Sequence, residues 1–258
     1  MARNDGSGVV DGELTEALIR SRRFFNRAEM PPDLRSEYLR GGRRRAHAET
    51  TGEATQTRSK PARPELGDSR RTAAWRVQSL LLGYPDETLL DSLPILARAT
   101  SALPEAVGAP LHPVLSYLET TQPLTAATRY GDTFDHRKRF SPYLTWFLHG
   151  DTRKRGTARL RFKQVYRSAG LVLVDDELSD HLAVVLEFAS AHPVPGEKLL
   201  AEHRPGIEVM RLALREAASP WTGVLDSVSA TLPALHGTER EAIAALVAAG
   251  PPDEDVGQ

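Results

Sequence analysis

From residue 70 onward, apolar positions recur with the 3.6-residue period of a helix, and no segment alternates apolar and polar residues over a strand length. Ala74, Val77 and Leu81 form an i, i+3, i+7 stripe that stops at Gly83-Tyr84-Pro85, and Asp86 then offers a carboxylate to cap the next helix. Ala158, Phe162, Val165 and Ala169 line a second helix ending at Gly170. Leu182, Val185, Leu186 and Ala189 line a third that begins near Ser179-Asp180. Pro110, Pro113, Pro123, Pro142, Pro193, Pro195, Pro205, Pro220 and Pro233 fall between such segments or at their first turns, where a missing N–H costs least. The pattern predicts an all-α body of about eight to ten helices over residues 70–250.

The two ends read differently. Residues 46–69 hold Leu66 as their one large aliphatic and are otherwise small, polar or charged, so they cannot bury enough apolar surface to order themselves. They read as a flexible linker, and a coil of that length spans roughly 27 Å. Upstream, within residues 1–45, Leu14, Ala17, Leu18 and Phe25 share one face of an amphipathic helix expected over about 13–26. Residues 251–258 are a polar tail expected to be disordered.

Composition narrows the classes. Lysine plus arginine nearly balance aspartate plus glutamate, for a net charge of −1, so no whole-molecule field draws the chain to nucleic acid. The absence of cysteine removes disulfides, thiolate ligands and cysteine nucleophiles. No apolar run reaches the 18 residues of a spanning helix, so no stable membrane insertion is expected and a cytoplasmic location is the simplest reading.

Candidate chemistry concentrates in "YLTWFLHGDTRKRG", residues 143–156, and in "DDELSDHL", residues 175–182. His149, Asp151, Asp180 and His181 could form a metal site for a hydrolase if the two loops meet, but neither H-x-D nor D-H presents both ligands from one helix face as i, i+4 does. Without a metal, Asp180 stabilises a helix N-terminus and His181 hydrogen-bonds within its loop. No G-x-S-x-G and no phosphate-cradling glycine pattern occurs. Arg155, Arg159, Lys163 and Arg167 repeat every fourth residue with no acid between Asp151 and Asp175. That basic stripe would match either the acidic 175–180 segment or an acidic ligand. Tyr143, Trp146 and Phe147 suit a core, or a groove for an amphipathic peptide.

"TFDHRKRFSPYLTWFLHGDTRKRGTARLRFKQVYRSAG" followed by "DDELSDHLAVVLEFAS" resembles the nitrate reductase assembly chaperones of the NarJ type, within the wider TorD-like family, over roughly residues 71–235. The matching positions are His149, Gly150, Asp151, Arg153 and Gly156, then Glu177, Leu178, Asp180, His181 and Leu182, with Ser179 where the family usually has proline. The resemblance implies a non-enzymatic chaperone without a cofactor of its own. Such a chaperone binds the N-terminal peptide of the nitrate reductase catalytic subunit and assists molybdenum-cofactor insertion. Its expected groove is lined by Tyr143, Trp146, Phe147, Leu182, Val185 and Leu186.

The upstream "DGELTEALIRSRRFFNRAEMPPDLRSEYLRGGRR" is in turn similar to the N-terminus of that catalytic subunit. Ser21-Arg22-Arg23-Phe24-Phe25 looks like a twin-arginine export core without its apolar region. The chain thus resembles a client peptide joined to its own chaperone. Leu14, Ala17, Leu18, Phe24 and Phe25 form the expected bound face, residues 10–30 are supplied in cis, and the assembly is a monomer or a peptide-swapped dimer.

Overall fold

The computed structural model describes residues 24–27, 67–150, 152–174 and 178–249. A short strand, β1 (Phe25–Arg27), precedes a helical body that starts with α1 (Asp68–Leu81), α2 (Glu87–Ser101) and the single turn α3 (Glu105–Gly108). Then follow α4 (His112–Thr120), α5 (Pro123–Phe134), the single turn α6 (Trp146–His149), α7 (Arg153–Ser168) and strand β2 (Leu171–Leu173). The remainder is α8 (Leu182–Ala191), α9 (Pro193–Glu202), α10 (Arg204–Glu216), α11 (Thr222–Thr231) and α12 (Gly237–Ala249). No described helix is long and apolar enough to cross a membrane.

The stops anticipated from the sequence have visible causes. Asp86 accepts a hydrogen bond from the Leu89 amide at 2.9 Å and so caps α2. Gly170, at φ 76°, takes the left-handed turn that swings the chain out of α7 into β2.

The centre is α8, flanked by α1 and α9. Leu182 to Leu186, Phe188 and Ala189 are all inaccessible, so α8 is buried on every side rather than along one stripe. Close approach of α9 to α8 depends on glycine, since a Cβ on Gly196 would run into the Ala189 backbone; likewise one on Gly223 of α11 would run into the Pro110 carbonyl before α4. Trp75, Trp221, Phe162, Tyr166 and Phe188 fill the largest volumes. Three enclosed side chains bond across helices: Gln78 Nε2 donates to Ser227 Oγ (2.8 Å), Ser227 Oγ to the Val107 carbonyl (2.7 Å), and Ser79 Oγ to the Ala183 carbonyl (2.7 Å).

Candidate functional site

The two sequence motifs meet. The Leu144 amide donates to the Asp180 carbonyl (2.9 Å) and the Leu182 amide to the Pro142 carbonyl (2.8 Å), with Tyr143 and His181 paired between them and their rings edge to face at 5.4 Å. Asp180, wholly buried, accepts from the Thr145 amide (3.3 Å) and hydroxyl, and its other oxygen faces Arg159 Nε at 3.5 Å. Arg155 approaches at 4.0 Å, with its guanidinium over the rings of Tyr143 and Trp146. The basic stripe therefore finds its acid within the chain for Arg155 and Arg159, while Arg167 points to solvent.

His181 Nδ1 accepts from the Ala183 amide at 3.1 Å and caps α8. Burial lowers its pKa to about 4, with the nearby Asp180 charge opposing that fall, so the ring is neutral near pH 7. With Nδ1 accepting, the proton sits on Nε2. Ser179, in the place where proline was expected, donates its hydroxyl to the Arg159 carbonyl (3.0 Å) and fastens this loop to α7 by a different bond.

Several expectations about the site change. Leu182, Val185 and Leu186 have no accessible surface, while Trp146 and Phe147 are 5% and 7% exposed. These five are core, enclosed by α1 and by Gly206 against Phe147, so they cannot wall an open groove. Tyr143 is half-buried in the motif knot. His149 and Gly150 close α6, with Gly150 at φ 54°, while Arg153 and Gly156 lie exposed on the first turns of α7. Asp151 and Glu177 lie outside the described residues, as do Leu14, Ala17 and Leu18. Among the described residues no three His, Cys, Asp or Glu side chains converge as metal ligands. The Asp180 carboxylate that would have joined such a set instead faces Thr145 and two arginines.

The aromatic end of the upstream segment packs elsewhere. β1 pairs antiparallel with β2, Phe25 opposite Leu173 and Arg27 opposite Leu171, and the Val174 amide donates to the Phe24 carbonyl at 3.0 Å. Phe25 is 4% exposed, its ring 4.9 Å from Tyr166 edge to face and 6.1 Å from Phe188. Tyr166 is held by its hydroxyl, which donates to the Ser179 carbonyl at 2.7 Å; burial first, then the Asp180 charge, keeps that phenol protonated. The helix expected over about 13–26 thus does not include Phe25 and Asn26, which are extended. Leu171-Val172-Leu173 is too short to show an alternation, so sequence periodicity missed β2; the consecutive Phe24-Phe25 was the legible half of the contact.

Fold and site together define an all-helical domain that seats an extended aromatic segment along a short strand edge. Residues 100–226 match the model of the nitrate reductase delta subunit family. The chain is 31% identical to the probable nitrate reductase molybdenum cofactor assembly chaperone NarJ of Bacillus subtilis, over 53% of this chain and 75% of that protein. It is likewise 31% identical to the NarJ chaperone of Escherichia coli K12, over 58% and 65%. The nitrate reductase-like protein NarX of Mycobacterium tuberculosis is 40% identical over 65% of this chain, which spans only 25% of that protein's length. A crystal structure of a redox enzyme maturation protein from Archaeoglobus fulgidus aligns with TM-score 0.45 and 21% identity, over 74% of this chain and 99% of that one. The chain belongs to the nitrate reductase delta subunit family, the family of the NarJ assembly chaperones.

Proposed function

We infer that this protein is an assembly chaperone that receives the N-terminal peptide of a nitrate reductase catalytic subunit and holds the subunit while its molybdenum cofactor, cargo of the client, is inserted. Family membership supports the class. The observation that carries the peptide reading is the Phe25 seat: a segment resembling the client's own N-terminus adds to β2 and buries an aromatic ring between Tyr166 and Phe188. In this reading Phe24–Arg27 occupies the client's place in cis, and α1, α7 and α8 hold the receiving surface rigid.

The test is complementation. A cell lacking its own assembly chaperone, supplied with this chain and a matching reductase, should recover reductase activity together with molybdenum in the purified catalytic subunit. Unchanged molybdenum content at normal subunit levels would sink the proposal. The seated β1 also favours a second reading, a self-occupied scaffold that no longer serves a client in trans. That reading predicts recovery only with a chain whose β1 has been loosened.

A further inference from the structure

Beside the Phe25 seat lies an open groove of about 460 Å³ between the last turns of α7 and the junction of α8 with α9. Val165, Ala169, Ala191, His192, Val194 and Pro195 line it. Val194 is 83% exposed, a large apolar side chain left in water at the groove's rim. The groove offers little polar chemistry. Ser168 already donates its hydroxyl to the Gln164 carbonyl (2.9 Å), and His192 stacks on Phe188 at 5.2 Å, with burial lowering its pKa.

Seat and groove adjoin through Phe188. Phe188 touches Phe25 on one side and His192 on the other, while Tyr166 of the seat is flanked in α7 by Val165 of the groove. The register gives direction. β1 runs antiparallel to β2, so Arg27 lies opposite Leu171, just past Gly170 and Ala169. A peptide continuing beyond that position travels back along the end of α7, toward the groove. Val165 and Ala169 are six and two residues before Leu171, roughly 3–9 Å along the helix, and an extended chain covers about 10 Å in three residues.

We propose that the groove is a second subsite of the peptide site: it takes an unbranched apolar side chain four to six residues after the aromatic seated between Tyr166 and Phe188. The occupant is a partner peptide that displaces β1 and adds to the β2 edge as far as Leu171, then leaves the strand register, because in an unbroken strand the residue five after the aromatic would face away from the groove. The spacing is present in this chain's own sequence, where Met30 stands five residues after Phe25. Methionine's flexible thioether suits so irregular a hollow. This subsite rests on the peptide-receiving reading above, and the experiment separates the two.

The full chain carrying Asn26→Pro is the receiver, because Asn26 is exposed and a proline there removes an amide from the β1 ladder without emptying the core. A labelled peptide of residues 20–34 is titrated by fluorescence anisotropy. It should bind this variant about tenfold more tightly than the unsubstituted chain, through release of the competing strand. Met30→Ser in the peptide and Val194→Glu in the protein should each weaken binding about tenfold, and together by no more than the larger single loss.

Losses that multiply, or no loss from either change, would overturn the subsite while leaving the peptide site standing. No binding at all to a variant with native helicity by circular dichroism would overturn both. A second measurement does not depend on Asn26→Pro: with the unsubstituted chain, a benzophenone at position 30 of the peptide should cross-link within 165–169 or 191–195. Cross-links confined to other segments would count against the groove.

Discussion

At the scale of single residues, Asp180 organises the motif knot, and its removal should be costly because two arginines and Thr145 are built around its charge. Asp180→Ala is expected to destabilise the fold by about 2–4 kcal/mol in urea, less than for a fully enclosed pair since Arg155 and Arg159 retain some solvent. Arg159→Ala, removing the more exposed partner, should cost less than Asp180→Ala.

His181 gives a pH signature. Its folded pKa near 4 lies below the unfolded value of about 6.5, so the unfolded chain binds the proton more readily between those values. The stability that the neutral ring contributes is complete above about pH 6.5 and falls as pH drops toward 4, by roughly 2–4 kcal/mol. His181→Asn keeps a capping acceptor and removes the titration. The urea midpoint of that variant should lose most of this slope between pH 6.5 and 4; an unchanged slope would mean another group carries it.

Among elements, the contrast lies between glycine-dependent helix contacts and the attached strand. Gly196→Ala and Gly223→Ala push a methyl into backbone that cannot give way, and each should lower thermal stability measurably, by about 1–3 kcal/mol. β1 has three residues and one partner strand, so its docking is a local equilibrium upon a stable body. Phe25→Ala should therefore accelerate hydrogen exchange at the Val174 amide, which donates to Phe24, far more than at amides within α8. Equal acceleration at both would mean that β1 is integral to the global fold.

At the scale of the molecule, the tether decides how occupancy responds to dilution. A segment linked in cis meets its site at an effective concentration around the millimolar range, whatever the protein concentration. Protection of the Val174 amide should stay constant from about 100 μM to 100 nM if one chain folds onto itself. Protection lost on dilution, alongside a falling sedimentation coefficient, would indicate exchange of β1 between two copies.

Much of this was legible because it is local. The 3.6-residue period gave the helical body, glycine and Asp86 marked its boundaries for steric and capping reasons, and the motif residues were recognisable as a family pattern. The proximity of the basic stripe to the acidic 175–180 segment could be stated as a match of charge, and Asp180 carries it toward Arg155 and Arg159. What periodicity cannot convey is how many sides of a helix are covered. Leu182, Val185 and Leu186 have the same spacing whether they face a groove or are enclosed, and only packing of α1 and α9 around α8 made them core. Likewise Phe24-Phe25 reads as part of an amphipathic helix until a distant edge, Leu171–Leu173, offers backbone partners and the Tyr166–Phe188 pair offers a ring-sized seat. By itself the sequence determined the helices and the family, since both lie in near-neighbour chemistry; the tertiary structure decided where β1 packs, because that contact is assembled from residues about 150 apart in the chain.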